Sequence, residues 1–442
     1  MDENLLKDVV DAALRAGADA AEAVTAERRS LAIGVRLGAL EEVEREESRD
    51  LGLRVFIGKR QATVSGADSA EARAKLVERA VAMARLAPED PYAGLAPRER
   101  LANGARPDLD LFDPTEPSAE ALEARAMAAE DAARAVAGVT NSEGGSAGWS
   151  ASSWRLVTSD GFSGLYSASG FSSGASVVAG EGDAMERGGE GRSVRWETDL
   201  PPPEEIGRTA GERAVARVGP RKIDSCTAPV IFENRIASSL ISPMVGAIAG
   251  PSIARGTSFL KDKLGAQLFG KGVNLVDDPH RVRGLGSSPF DDEGVANRRT
   301  EIVADGVLTT WLLNSSSARQ LGLETTGHAS RGLAGPPGVS STNLTLEPWT
   351  LDLAGLMREA GKGLLVTSMF GPSLNGNTGD WSTGVSGFWF EDGEVAYPVS
   401  EITVAGNLIE IYGRLVPGGD LEIRGATNAP SILVDGMAIA GR

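Results

Sequence analysis

The sequence predicts an α+β protein of two domains, with largely antiparallel sheets flanked by helices. Three observations predict it. Glycine-punctuated, strand-like segments fill residues 22–65 and 138–194. Asp-Gly pairs stand between strand-like segments of the second half. The chain is 442 residues long, enough for two or three domains, and a polar, proline-bearing connection near Pro220 separates an N-terminal domain at 1–220 from a mainly β domain at 221–442.

The elements follow in order. Leu5, Val9, Ala13 and Leu14 recur at helical spacing over residues 3–16, and Gly17 is placed to stop that helix. Strands at 32–37, 53–57 and 62–64 form a meander. Asp68 or Ser69 caps a helix to about Leu86, whose apolar positions include Ala72, Leu76, Ala80 and Met83. Residues 87–117 read as a long proline-rich connection, and 118–136 as an alanine-rich helix. Between 138 and 194, Trp149, Trp154, Leu156, Tyr166, Phe171 and Val177 are interleaved with small polar residues, a pattern of several antiparallel strands. Pro201 to Pro203 open a helix to about Val218.

The second half begins with a strand at 229–232 and an apolar helix from about Asn234. Strands are expected at 300–303, 307–313, 342–346, 363–369, 389–391, 395–404 and 432–439. Asp305-Gly306 and Asp392-Gly393 supply the positive-φ turns of two hairpins.

Composition excludes several function classes. The formal net charge of −17 repels polyanions and argues against general nucleic-acid binding. Cys226 is the only cysteine, so no internal disulfide can form and a reducing compartment is the simpler reading. The histidines are only His280 and His328, a poor endowment for catalytic zinc, which takes three protein ligands rich in imidazole or thiolate. The N-terminus is acidic, unlike a signal peptide, and residues 240–254 are broken by proline and glycine and too short to span a bilayer. A cytoplasmic protein is expected.

Several motifs carry candidate chemistry. Residues 265–272 (GAQLFGKG) nearly fit a phosphate loop but lack its final Ser/Thr, and read instead as a helix end capped by Gly270. Ser146 and Ser172 sit in Gly-x-Ser-x-Gly patterns that read as turns. Ser258 and Lys261 have the spacing that sets an amine one helical turn from a hydroxyl, although the companion motifs are missing; a capping Ser258 and a solvated Lys261 are the plainer reading. Asp291, Asp292 and Glu293 offer oxygen ligands to a hard cation, or simply form an acidic turn. Each lone histidine reads as structural.

Four blocks resemble the TldD/PmbA family, also called modulators of DNA gyrase: 256–265 (GTSFLKDKLG), 283–294 (RGLGSSPFDDEG), 375–382 (NGNTGDWS) running on to 387–390 (GFWF), and 397–407 (YPVSEITVAGN). The resemblance spans nearly the whole chain and is to the PmbA (TldE) branch. In TldD-type chains of the family, a helix carrying His-Glu-x-x-x-His and a C-terminal cysteine hold zinc. The resemblance places those lost histidines at Ile241 or Ser242 and at Gly246 or Ala247, none of them a zinc ligand. Cys226 precedes that helix, and Pro243 weakens it.

The resemblance therefore implies a pseudo-enzyme: a chain with no catalytic residue or metal of its own, paired with a zinc-bearing TldD-type subunit in a heterodimer. Such heterodimers enclose a cavity and act on unfolded or small peptides, including a peptide-antibiotic precursor and an antitoxin. Direct nucleic-acid or membrane contact is not expected. Asn375, Asn377, Asp380 and Trp381 are candidate peptide or cavity contacts, because a glycine-rich loop with short polar side chains can grip a peptide backbone. Two other functions stay open: an autonomous hydrolase using Ser258 and Lys261 or an acid-bound metal, and a peptide-binding homodimer that does not cleave.

Overall fold

The computed structural model describes residues 3–442; Met1 and Asp2, part of the acidic start, lie outside the described residues. Helix α1 (Glu3–Arg15) buries Leu6, Val9, Val10 and Ala13, and Gly17 ends it at a φ of +103° that suits a residue without Cβ. Strands β1 (Ala20–Arg36), β2 (Ala39–Ile57) and β3 (Arg60–Ala67) follow, then α2 (Ala70–Leu86), whose first turn is capped by the Ser69 hydroxyl. Helix α3 (Ala119–Arg134), capped by Ser118, leads to β4 (Val139–Thr158), β5 (Ser163–Ala179), β6 (Glu186–Val194) and α4 (Pro203–Ala216). The six strands make one antiparallel sheet in the order β3-β2-β1-β4-β5-β6.

The faces of that sheet differ. Toward the helices, Ile33, Val35, Ala147, Trp149 and Phe171 pack on Leu122 and Ala126 of α3, while Ala175, Val177 and Ala179 pack with Ala129, Ala133, Ala210 and Ala214. A Cβ at Gly145 would lie 2.1 Å from the Ala126 carbonyl oxygen, so glycine there lets α3 settle on β4. Ser146 and Ser172, read as turn residues, are instead in mid-strand, opposite Gly174 and Gly148. The alternation of small residues with large ones on the other face makes them strand, not turn.

The second half holds β7 (Cys226–Phe232), α5 (Asn234–Ala247), α6 (Gly250–Ala254), β8 (Leu275–Asp277), β9 (Thr300–Ala304), β10 (Val307–Leu308) and α7 (Ser315–Leu321). Next come β11 (Ala329–Ser330), β12 (Gly338–Val339), β13 (Leu344–Leu346), α8 (Leu353–Ala360), β14 (Gly363–Leu374), β15 (Asp380–Glu391) and β16 (Glu394–Asn407). Helix α9 (Leu408–Arg414), β17 (Leu415–Pro417), β18 (Thr427–Asn428) and β19 (Ile432–Ala440) complete it. Its main sheet runs β16-β15-β14-β7-β19-β17, antiparallel except where β7 pairs with β14. The fold is α+β, with mostly antiparallel sheets flanked by helices. Both Asp-Gly hairpins form, with positive φ at Asp305, Gly306, Asp392 and Gly393.

Helix α5 forms where an apolar helix was expected, with Pro243 inside it, and Ala237, Leu240, Ile241, Met244 and Ala247 bury its inner stripe. One expectation fails for a tertiary reason. Residues 265–272 are not helical: Leu268 and Phe269 donate their amides to the Gly306 carbonyl, and Gly265 donates to Leu308. The β9–β10 hairpin thus takes the donors a helix would use.

The halves meet through buried charge. Glu22 of β1 pairs with Arg331, and its carboxylate lies 3.1 Å from Arg54 Nε, all three side chains almost fully buried. Among the described residues, no helix is long and apolar enough to cross a membrane.

Candidate functional site

Helix α5 follows the central strand β7, and its first turn is anchored by Asn234, whose amide donates to Ser431 Oγ at 3.1 Å and whose Nδ2 donates to the Asp420 carbonyl at 2.8 Å. Its inner stripe enters the main core beside Phe232 and Tyr412, and the Tyr412 hydroxyl donates to the Leu240 carbonyl at 3.1 Å. The outer stripe, with Ser242 and Gly246, is exposed.

The four positions assigned to the lost histidines divide between these stripes. Ile241 is fully buried in the core and Ala247 nearly so. The Ser242 hydroxyl bonds back to the Ser238 carbonyl at 2.9 Å, and a Cβ at Gly246 would meet nothing within 4 Å. Hydrocarbon, a hydroxyl committed to its own helix and a bare backbone do not fit zinc, which needs imidazole, thiolate or carboxylate donors. Cys226 is exposed at the far end of β7, roughly 20 Å from the start of α5 at strand rise. Among the described residues, no three His, Cys, Asp or Glu side chains converge on a point where a metal ion could be held.

The other candidates occupy distinct places. Ser258 is buried; its hydroxyl donates to the Ala247 carbonyl at 2.5 Å and accepts from the Leu260 amide at 3.0 Å. Lys261 is exposed, and its amine and the Ser258 hydroxyl are not brought together. Asp291 accepts three backbone amides, from Glu293, Val295 and Ala329, and burial, reinforced by Glu293, raises its pKa well above the usual carboxylate range. Asp292 accepts the Arg331 amide and is pushed up to about 6 by burial. Glu293 accepts the Ser315 amide at 2.8 Å. These carboxylates tie loops together instead of converging on a cation. His280 Nε2 lies 2.8 Å from Asn297 Oδ1, and His328 is buried with Nε2 3.2 Å from Asp277 and Nδ1 2.9 Å from Thr326 Oγ1.

The loop between β14 and β15 stands next to the end of α5. The Phe259 amide donates to the Gly376 carbonyl at 2.9 Å, and Ser258 beside it holds Ala247. Asn375 and Asn377 are exposed on this loop, and Asp380 is exposed where β15 begins. Bonds from Thr378 Oγ1 and from Asn407 Nδ2 hold the Asp380 carboxyl below the usual range, and the Asn377 amide donates to Asn375 Oδ1 at 3.0 Å. Trp381 is corrected: it is only 4% exposed, in the core edge-to-face with Phe232 at 6.2 Å, because position 381 points to the inner side of β15. It has no surface to offer a peptide.

The first turn of α5 also borders a feature the motifs did not signal. On the solvent side of the N-terminal sheet, cross-strand neighbours form rows: Glu46, Ser30, Ser150 and Gly170; Glu44, Ala32, Gly148, Ser172 and Ser193; Glu42, Gly34, Ser146, Gly174 and Gly191. Two hollows of about 760 and 660 Å³ lie over them, the second rimmed by Arg235 and Ile236 of α5 and by Arg424. Glu190 of β6 holds this rim together with Arg192, Arg213 and Arg424. Burial, with Arg235 nearby, pushes Arg213 down to about 10. The signal was present as glutamate at every second position, 42, 44 and 46.

Comparison with known proteins matches this chain to three models described as PmbA/TldA metallopeptidase: domain 1 at residues 21–84, the central domain at 112–218 and the C-terminal domain at 225–441. Metalloprotease PmbA of Escherichia coli O157:H7 is 39% identical over 444 residues, covering 99% of this chain and 96% of that protein. The Metalloprotease PmbA homolog of Haemophilus influenzae is 37% identical, covering 98% and 94%. A crystal structure described as a modulator of DNA gyrase, from Bacteroides thetaiotaomicron, superposes with a TM-score of 0.92 at 28% identity over all of both chains. TldE from Thermococcus kodakarensis shares the fold, with a TM-score of 0.86 at 21% identity over 99% of each chain. On these matches in sequence and fold, the chain belongs to the PmbA/TldD metallopeptidase family.

Proposed function

We propose that this chain is the non-catalytic, PmbA/TldE-type subunit of a cytoplasmic, heterodimeric zinc peptidase acting on unfolded or small peptides. In this reading a TldD-type partner supplies the zinc and its activated water. This chain closes the cavity and holds the extended peptide.

One observation carries the reading: α5 offers no zinc donor at Ile241 or Ser242, nor at Gly246 or Ala247, the positions that the resemblance assigns to the lost histidines. The exposed Asn375, Asn377 and Asp380, beside the end of the same helix, support a peptide-facing role.

The test is hydrolysis of an unfolded protein substrate by this chain alone, by a TldD-type partner alone, and by the two mixed. The mixture alone is expected to cleave at full rate. Cleavage by this chain without a partner, abolished by Ser258→Ala, would instead establish the autonomous hydrolase.

A further inference from the structure

Residues 39–48 of β2 pair with β1 on one edge only; β3 joins β2 from Asp50 onward. Among the described residues, no strand covers the other edge of this stretch. Residues 39–47 are exposed throughout, although a strand normally buries one face. Roughly 30 Å of strand edge thus offers unpaired backbone groups, a template for an added strand.

The side chains beside this edge differ on its two faces. On the groove side stand Glu42, Glu44 and Glu46, cross-strand from Gly34, Ala32 and Ser30. On the helix side stand Leu40 and Val43, cross-strand from Val35 and Ile33 and 47% and 53% exposed beyond the cover of α3, followed by Arg45 and Glu47, which pair with each other at 2.8 Å. Among the described residues, Glu42 and Glu44 have no ion-pair partner. Glu46 meets Arg28 at 3.7 Å with both side chains mostly exposed, a pair too weak to neutralise it.

We infer that this edge binds a peptide substrate as an added strand, and that it selects extended segments in which cationic and apolar residues alternate. An added strand places successive side chains on opposite faces, so its Lys or Arg side chains meet the glutamate row while the residues between them cover Leu40 and Val43. Charge disfavours a second copy of this chain as occupant: antiparallel self-pairing sets glutamate row against glutamate row. The inference rests on the peptide-holding role proposed above and names the substrate class for it.

The test uses the full chain without a partner and a fluorescein-labelled peptide of alternating lysine and valine, read by fluorescence anisotropy. Tighter binding is expected than for the same composition with lysines and valines in separate blocks. The triple variant E42Q/E44Q/E46Q, at exposed positions, is expected to weaken binding by about tenfold, three exposed charge pairs at roughly 0.5 kcal/mol each. Circular dichroism checks that it folds. Bound peptide should also slow hydrogen exchange of amides in 39–48.

Equal affinity for both peptide orders, no effect of the triple variant, or no protection at 39–48 would each overturn the inference. So would a parent chain that is dimeric through this edge and becomes monomeric in the triple variant, which would assign the edge to a second copy. Since no partner or hydrolysis enters this test, its failure leaves the subunit reading standing. Failed reconstitution with a TldD-type partner leaves the binding result intact.

Discussion

The two large sheets of this molecule each have six strands, yet they are built on opposite economies. The C-terminal sheet surrounds its strands with bulky side chains, and Phe232, Leu240, Ile241, Trp381 and Tyr412 share one core. The N-terminal sheet commits bulk to its helix-covered face; on the other, Val24, Trp154, Leu156 and Tyr166 pack with Phe290 at one end, and the rest is left to serine, glycine and alanine beside the glutamate row. The contrast teaches where each half can tolerate change: the first is specified by volume, the second by closeness of backbones and by charge along an edge.

The sharpest way to break the contrast is to empty the C-terminal core. Phe232→Ala is expected to cost about 3–5 kcal/mol, read from denaturant midpoints, whereas Ser172→Ala on the open face should stay within about 0.5 kcal/mol. In the N-terminal sheet the severe change is an addition. Gly145→Ala pushes a methyl against the Ala126 carbonyl and is expected to cost about 1–3 kcal/mol in the same measurement.

A third test concerns the charge buried near the junction. Asp292 titrates near 6 in the fold, so between the ordinary aspartate range and pH 6 the unfolded chain gives up its proton first, and this residue's contribution to stability falls as pH rises. Asp292→Asn removes that slope and should raise stability relative to the parent by on the order of 1 kcal/mol at pH 7 over pH 4.5, measured by unfolding at both. Parity between the two pH values would contradict the buried carboxylate.

Gly246→Ala, by contrast, adds a methyl where nothing lies within 4 Å and is expected to stabilise α5 by about 0.5–1 kcal/mol. The smallest effect belongs to the exposed stretch 39–48 of β2: Arg45→Ala removes an exposed pair with Glu47 and should change stability by less than about 0.5 kcal/mol.

Legibility in the sequence followed the same divide. Where apolar residues bury against one partner, the periodicity sufficed: α1, α2 with Ser69, one of its two candidate caps, α3 and both Asp-Gly hairpins stand close to where pattern and turn chemistry put them. It failed where tertiary contacts supplied the backbone's partners. Residues 39–48 have almost no apolar alternation, and β1 alone makes them a strand. The short helices α7, α8 and α9 are set by the Asn314, Asp352 and Asn407 caps and by burial in the second half, so no long apolar stripe announced them. At the candidate site, the chemistry of positions 241, 242, 246 and 247 was legible because it depends on residue identity. The burial of Trp381 was not, since alternation alone does not say which side of β15 is covered.

The most direct test of the account is zinc stoichiometry after this chain is co-expressed with a TldD-type subunit and the two are separated under native conditions. The account predicts that the metal stays wholly with the other subunit. One tightly held zinc per molecule of this chain, retained through dialysis against a chelator, would contradict it.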